Sequence, residues 1–180
     1  DRGAKVGLRW ARGPFELMNR VGVKQSFEMA QEYLALCQDD KGDSNWNIPQ
    51  FFVDQASNES AWDFSYVDTS INEGIATVTI NRPEAMNALN ETVIEQLGRA
   101  ITAVNSNDAV HTLVLDGAGK AFVAGADVKF FVDKIRSDSI DDIVEFTSNG
   151  HKVLNSIENS PKTTIALTTG LALGGGLELA

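Results

Sequence analysis

Two glycine-containing turns, about fifty residues apart, most constrain what this chain can fold into. The first lies in GKAFVAGADVKFF at residues 119–131, and the second lies in GLALGGGLELA at residues 170–180. Each turn follows an apolar run typical of a β-strand and leads into a run typical of a helix. Two such turns can direct two backbone N–H groups at one oxygen, which is the arrangement of an oxyanion hole. The pattern therefore favours acyl chemistry over phosphate binding or redox chemistry.

The composition narrows the class of protein. The chain has 180 residues, of which 43% are hydrophobic, so it can bury one sizeable core and carry an appendage. Its net charge of -10 argues against a nucleic-acid partner. No apolar run approaches the roughly 18 residues that a membrane span needs. A single cysteine, Cys37, excludes an intramolecular disulfide and fits a reducing compartment, so we expect a cytoplasmic protein.

The chain is predicted to contain two blocks joined by a polar linker. We assign residues 1–52 to a small helical block, 53–61 to the linker and 62–180 to the second block. The first block contains an amphipathic helix whose apolar face has helical spacing, formed by Val23, Phe27, Ala30, Leu34 and Cys37. On this face Cys37 is predicted to be a buried and inert thiol. The start at Asp1 and the end at Ala180, inside a motif, predict a piece of a longer protein.

Strands and helices alternate in the second block. Three apolar runs are typical of strands, at residues 74–81, 110–115 and 163–168. Asn90 is a suitable N-cap for a helix over 91–105. Ser139 and Asp142 form a potential capping box for a helix that ends near residue 158. This alternation predicts an α/β layer architecture.

The first glycine turn consists of small residues before a helical run that begins at Val128. Such residues let a substrate approach the backbone closely, and the Ala124 N–H is free to donate if it lies just before the helix. Asp127 is a candidate cap for that helix. Taken by itself, this motif is better explained by an ordinary strand-to-helix turn with an aspartate cap.

The second glycine turn, Gly174 to Gly176, precedes Glu178. A helix that starts here would offer unpaired N–H groups, and Glu178 would serve as a general acid or base, or only as a surface acid. A flexible turn or a loose phosphate loop stays open, although the Lys-Ser/Thr of a Walker motif is absent. His111 and His151 have no Cys or His at ligand spacing, so we predict neither catalysis nor a metal site there.

The second block resembles the enoyl-CoA hydratase/isomerase (crotonase) superfamily over about residues 64–180. The resemblance is carried by GIATVTINRPEAMNALN, VHTLVLDGAGKAFVAGADVKFF and PKTTIALTTGLALGGGLELA. It implies a partial ββα spiral fold that binds an acyl-CoA thioester, with coenzyme A present only as part of the substrate. It also implies trimer-type association of identical chains.

The resemblance assigns roles to individual residues. It implies an oxyanion hole from the N–H groups of Ala124 and Gly175, and it matches Glu178 to the first of two catalytic glutamates. Further residues are implied to line the acyl-CoA site, namely Gly125, Ala126 and Asp127 in the turn and, more loosely, Ala85, Met86 and Ala88. The second glutamate of hydratases is expected beyond Ala180. Hydration, double-bond isomerisation and non-catalytic acyl-CoA binding therefore all stay open.

The first block carries a shorter resemblance of its own. GAKVGLRWARGPFELMNRVG at residues 3–22 resembles the helical C-terminal domain of 3-hydroxyacyl-CoA dehydrogenases. Followed by a crotonase module, it implies a bifunctional protein of fatty-acid β-oxidation. Such a protein would hydrate a trans-2-enoyl-CoA and oxidise the 3-hydroxyacyl-CoA with NAD. The NAD-binding Rossmann domain would lie upstream of Asp1.

Overall fold

The computed structural model describes residues 1–10, 12–37 and 47–180. These form two compact units, Asp1–Phe64 and Ser65–Ala180, which we call the N-terminal unit and the C-terminal unit. The division falls later than the linker predicted at 53–61. Residues 53–57 are helical because Phe52 and Ala56 anchor that helix in the core of the N-terminal unit.

The regular secondary structure described in the N-terminal unit consists of helices. The helices are α1 (Arg2–Gly7), α2 (Pro14–Val21), α3 (Val23–Leu36) and α4 (Gln50–Ser57). Proline at the first position of α2 has no N–H to satisfy, so it suits a helix start. A small core joins α3 to α4 through Val23, Phe52 and Ala56.

The predicted burial of Cys37 is wrong. The first residues of the predicted apolar face pack on the small core, since Val23 is buried and Phe27 and Ala30 contact it. The helix ends at Leu36, and Cys37 is its exposed C-terminal flanking residue. Among the described residues, burial along this face therefore decreases toward the last turn of α3, where Leu34 is half-buried.

The C-terminal unit is built on a mixed sheet with the strand order β1-β2-β3-β5. Its strands are β1 (Val67–Asn72), β2 (Ile75–Ile80), β3 (Thr112–Gly117) and β5 (Thr163–Leu167). The β1–β2 pair is antiparallel, and the other two pairs are parallel. In β2, the alternate residues Ala76, Val78 and Ile80 are buried, as a strand with one face on the core requires. A separate two-stranded parallel sheet pairs β4 (Ala121–Val123) with β6 (Leu171–Ala172).

Helices connect the parallel strands, because such connections must cross the sheet. They are a 3-10 turn at Pro83–Ala85, α5 (Glu91–Asn105), α6 (Val128–Arg136) and α7 (Ile140–Glu158). A short helix, α8 (Gly175–Glu178), follows β6. The predicted limits of α5 are confirmed. The apolar face of α5, whose residues recur every three or four positions, packs in the core. Its buried residues are Val93, Leu97, Ile101 and Val104.

The two predicted helix caps have different outcomes. Asn90 Oδ1 accepts a hydrogen bond from Val93 N at 2.9 Å, so the cap of α5 is confirmed. The capping box of α7 is wrong, because the Ser139 side chain makes no cap bond. Asp142 instead binds Lys134 Nζ at 2.6 Å, and this hydrogen bond raises the pKa of Lys134.

Removing the confirmed cap should weaken the C-terminal unit measurably. We expect Asn90→Ala to lower the free energy of unfolding by about 1 kcal/mol, because the Val93 N–H loses its acceptor. The measurement is the urea midpoint of the full chain, followed by far-ultraviolet circular dichroism. Asn159→Ala is the matched control, since Asn159 only bonds the Asn155 carbonyl at an exposed helix end. Equal shifts for the two variants would contradict the assigned role of the cap.

Candidate active site

The parallel pairing of β4 with β6 brings the two glycine turns together. Ala121 pairs with Leu171 and Val123 pairs with Ala172. The Leu173 N–H continues the ladder by donating to the Val123 carbonyl at 3.0 Å. Because both strands run in the same direction, both turns leave the sheet at the same end, where the two strands terminate. The residues following Val123 and Ala172 are therefore neighbours in space.

The two turns approach so closely that side chains would not fit between them. Gly125 has a φ of +94°, and a Cβ there would lie 2.9 Å from the Leu173 carbonyl oxygen. A Cβ at Gly176 would lie 2.0 Å from the Val123 carbonyl oxygen. Glycine is therefore required at both positions for the backbones to touch.

A third segment, the loop of residues 82–90, runs along the first turn. Leu89 forms an isolated parallel bridge with Ala126. The Leu89 N–H donates to the Gly125 carbonyl at 2.8 Å, and the Asp127 N–H donates to the Leu89 carbonyl at 2.8 Å. The position of the first turn is thus fixed from both sides, by β6 and by this loop.

Asp127 supports the turn through its side chain. Its Oδ1 accepts from the Lys129 N–H at 3.1 Å, which confirms the predicted cap of α6. Its Oδ2 forms an ion pair with Arg82 Nη1 at 2.8 Å, and the same nitrogen donates to the Ala88 carbonyl at 2.9 Å. Both charged side chains are more than four-fifths buried. Arg82 and Asp127 therefore clamp the loop to the start of α6.

The two N–H groups assigned to the oxyanion hole have different environments. Helix α6 begins at Val128, so Ala124 does not lie just before it, and the Ala124 N–H donates to the Met86 carbonyl at 3.1 Å. Gly175 is the first residue of α8. Within the described parts of the chain, the Gly175 N–H has no acceptor. Gly175 thus offers a free donor, whereas the Ala124 N–H is already paired with the loop. The Ala126 N–H, two residues further on, has no acceptor among the described residues.

A cavity of about 240 Å³ opens beside the second turn. Its walls include Gly175, Glu178 and Ala126 of the predicted site residues, together with Leu89, Phe131 and Phe146. The wall is mainly apolar, with one carboxylate, as small-molecule pockets usually are. Glu178 is exposed on α8, three residues after the free N–H of Gly175.

Two residues at this site were not assigned a role from the sequence. His151, which we predicted to be non-catalytic, lines the same cavity as Glu178. Leu89 lines it as well and makes the backbone bridge to Ala126. Spacing along the chain carries no signal for either, because α7 and the loop meet the turns only through the tertiary fold.

The loop residues Ala85, Met86 and Ala88 lie outside this cavity. Met86 is 56% exposed and has a left-handed backbone, with a φ of +51°. Their predicted contact with coenzyme A stays a prediction. Among the described residues, no group of three or more His, Cys, Asp or Glu side chains is arranged to hold a metal ion.

A family model for enoyl-CoA hydratase/isomerase matches residues 75–180. The chain belongs to the enoyl-CoA hydratase/isomerase family. Crotonyl-CoA hydratase of Syntrophomonas wolfei is 46% identical over 109 residues, which are 60% of this chain and 40% of that protein. Short-chain-enoyl-CoA hydratase of Clostridium acetobutylicum is 38% identical over 107 residues, which are 59% of this chain and 40% of that protein. This family member thus spans about two fifths of the length of these curated relatives.

Solved structures support the fold assignment of this enoyl-CoA hydratase/isomerase family member. An enoyl-CoA hydratase from Bacillus anthracis superimposes with a TM-score of 0.60 at 28% identity, covering 64% of this chain and 44% of that one. The predicted α/β class and the crotonase resemblance are therefore confirmed. The family match begins at Ile75, so the dehydrogenase resemblance of residues 3–22 stays a prediction. None of the described helices is both long enough and apolar enough to span a bilayer.

Proposed function

We propose that the C-terminal unit binds an acyl-CoA thioester and contributes to hydration of a trans-2-enoyl-CoA. One observation carries the proposal: the β4–β6 pairing places the Ala124 and Gly175 turns in backbone contact beside a cavity that Glu178 lines. Family membership and the hydratase names of the relatives support it.

In the proposed mechanism, the two turns stabilise negative charge on the thioester oxygen. When water adds at C3, the C2–C3 π electrons move toward the thioester carbonyl and form an enolate. The Gly175 N–H donates to this oxygen directly. The Ala126 N–H is proposed as the second donor in place of Ala124, because it has no acceptor among the described residues and Ala126 lines the cavity together with Gly175.

Glu178 is proposed to carry one of the two proton transfers. Hydration forms a C3–O bond and a C2–H bond, while water loses a proton. One group must deprotonate or orient the water, and a proton must be delivered to C2. Glu178 lies at the cavity wall for one of these steps. The family resemblance predicts that a second glutamate beyond Ala180 performs the other.

The cavity supports an acyl chain as part of the substrate, because its apolar walls from Phe131 and Phe146 suit a hydrocarbon tail. Crotonyl-CoA, which the name of one relative contains, is the first substrate to test.

The test combines binding by this chain with turnover by the whole protein, which carries the second glutamate that the family resemblance predicts. We expect crotonyl-CoA to bind in isothermal titration calorimetry and free coenzyme A to bind more weakly, because it lacks the thioester oxygen. Hydration would be followed as loss of the ultraviolet absorbance of the conjugated enoyl thioester. A folded chain that does not distinguish the two ligands would contradict the proposal. Binding without turnover would favour a non-catalytic acyl-CoA-binding role.

Double-bond isomerisation is the second candidate, because a single carboxylate such as Glu178 can move a proton between two carbons. The discriminating substrate is a 3-enoyl-CoA, whose isomerisation creates the conjugated thioester and raises the ultraviolet absorbance. If the absorbance rises with this substrate and does not fall with crotonyl-CoA, the result would favour isomerisation over hydration.

For the N-terminal unit, we propose the helical end of a 3-hydroxyacyl-CoA dehydrogenase within a bifunctional β-oxidation protein. The motif RGPFELMNRVG supports this, and it includes all of α2 with its proline start. The whole protein is then expected to reduce NAD with 3-hydroxybutyryl-CoA and to associate as a homo-oligomer of the trimer type. Absence of NADH formation by the whole protein would contradict the dehydrogenase assignment, and a monomer in light scattering would contradict the association.

A further inference from the structure

Helix α7 contributes one continuous face to the cavity of about 240 Å³. The α7 residues that line this cavity recur at helical spacing, and they are Phe146, Thr147, Gly150, His151, Val153 and Leu154. Gly150 lies in the middle of this face, because Phe146 is one turn before it and Leu154 is one turn after it. A side chain at position 150 would therefore project from the centre of this cavity wall.

Neither the backbone nor the packing of the described residues requires glycine at position 150. Gly150 lies inside α7 and has no positive φ, so other residues can adopt its conformation. A Cβ at Gly150 would meet no described atom within 4 Å, whereas a Cβ at Gly98 of α5 would lie 3.1 Å from Val153 Cγ2. Glycine is also less favourable than alanine in a helix interior. What the missing side chain of Gly150 provides is open space at the cavity wall.

The same cavity contains the proposed reacting groups. Gly175 and Ala126, whose N–H groups are the proposed donors to the thioester oxygen, line it together with Glu178. Carbons C2 and C3 of an enoyl group are next to the thioester, so they lie close to these donors. The carbons beyond C3 must occupy the rest of the cavity. Since α7 provides six of the fourteen lining residues, its face forms the largest part of the wall that these carbons meet.

We propose that Gly150 is a specificity-determining residue, whose missing side chain sets how many acyl carbons beyond C3 the cavity accepts. This inference rests on the proposed acyl-CoA function of the C-terminal unit. A side chain at position 150 would occupy the space that the distal acyl carbons otherwise fill. A shorter acyl group ends before it reaches this space and loses little affinity. In an apolar pocket, one methylene changes discrimination by roughly 10- to 200-fold.

The test compares the binding of two acyl groups by variants of the full chain. Crotonyl-CoA is the short ligand, and trans-2-hexenoyl-CoA carries the same thioester and double bond on a longer chain. Dissociation constants are measured by isothermal titration calorimetry, and the readout is the ratio of the two constants. Gly150→Ala adds one methyl group, and Gly150→Leu adds a larger apolar side chain. Alanine and leucine both favour a helix over glycine, so neither change opposes the formation of α7.

Ser148→Leu is the matched control on the same helix. Ser148 is exposed, lies two residues before Gly150 and does not line the 240 Å³ cavity. Leucine at this position adds the same apolar side chain to α7 but leaves the cavity unchanged. The control therefore separates an effect of cavity size from a general effect of added apolar surface.

We expect Gly150→Leu to weaken hexenoyl-CoA relative to crotonyl-CoA by about 10-fold or more, Gly150→Ala to do so by a smaller factor, and Ser148→Leu to leave the ratio unchanged. An unchanged ratio in a folded Gly150 variant would overturn the inference. If leucine prevents folding, Gly150→Ala decides the question alone, because its methyl group meets no atom. An unaltered chain that binds crotonyl-CoA but not hexenoyl-CoA would also overturn it. Failure of the unaltered chain to bind either ligand more tightly than free coenzyme A would reject the proposed function itself.

Discussion

Replacing Gly176 with alanine is expected to destabilise the C-terminal unit by about 3 kcal/mol. The added methyl would lie 2.0 Å from the carbonyl oxygen and 2.8 Å from the carbonyl carbon of Val123. Both atoms belong to the backbone of β4, so no side chain can rotate away to relieve the clash. Helix α8 must move off the small sheet. The urea midpoint of the full chain, followed by circular dichroism, measures the loss.

Gly150→Ala is the matched control for this substitution. Gly150 lies inside α7, and a Cβ there would meet no atom within 4 Å. Alanine in a helix interior is favoured over glycine by about 1 kcal/mol, so the urea midpoint should rise. The two glycine-to-alanine changes are therefore expected to have opposite signs. A fall of similar size in both variants would show that the Gly176 contact is not the cause.

In the whole protein, replacing Glu178 with glutamine is expected to reduce the proposed crotonyl-CoA hydration about 1,000-fold, because a positioned acid or base contributes roughly this much. Glutamine has nearly the same shape but cannot accept a proton. Since Glu178 is exposed and outside the hydrophobic core, the unfolding midpoint should stay unchanged. The rate is measured from the decay of the enoyl thioester absorbance.

Glu73→Gln provides the control for the loss of one negative charge. Glu73 is exposed in the turn between β1 and β2 and does not line the 240 Å³ cavity. Its substitution should leave the rate within about twofold, because exposed charges interact weakly through water. Deuterium exchange at C2 of butyryl-CoA separates proton transfer from water addition. If Glu178→Gln retains both reactions, Glu178 is only a surface acid.

Local signals explain which parts of the fold the sequence predicted. Helix α5 was predicted with its correct limits because the Asn90 cap and the apolar spacing both act within a few residues. Strand β1, VDTSIN, was missed because it has almost no apolar alternation and is largely exposed. Helix α4 was missed because its apolar residues Phe51 to Val53 stand in a polar stretch that resembles a linker.

The candidate site was predictable only in part. The motifs identified Ala124, Gly175 and Glu178 as neighbours through family resemblance, and the β4–β6 pairing accounts for the approach of the two turns. The engagement of the Ala124 N–H by Met86 could not be predicted, because it depends on a loop that is distant in sequence. The same reason applies to Gly150, whose place in the cavity wall depends on where α7 packs.

The pairing of β4 with β6 also has a consequence for the order of folding. Ala121 and Leu171 are partners fifty positions apart in the sequence, and the segment between them includes α6 and α7. The β1–β2 hairpin joins neighbouring segments and closes only a short loop. Since closing a long loop costs more entropy and non-local contacts slow folding, the hairpin is expected to form early and the small sheet late. A folding intermediate that already contains β1, β2 and α5 would therefore still be unable to recognise a thioester.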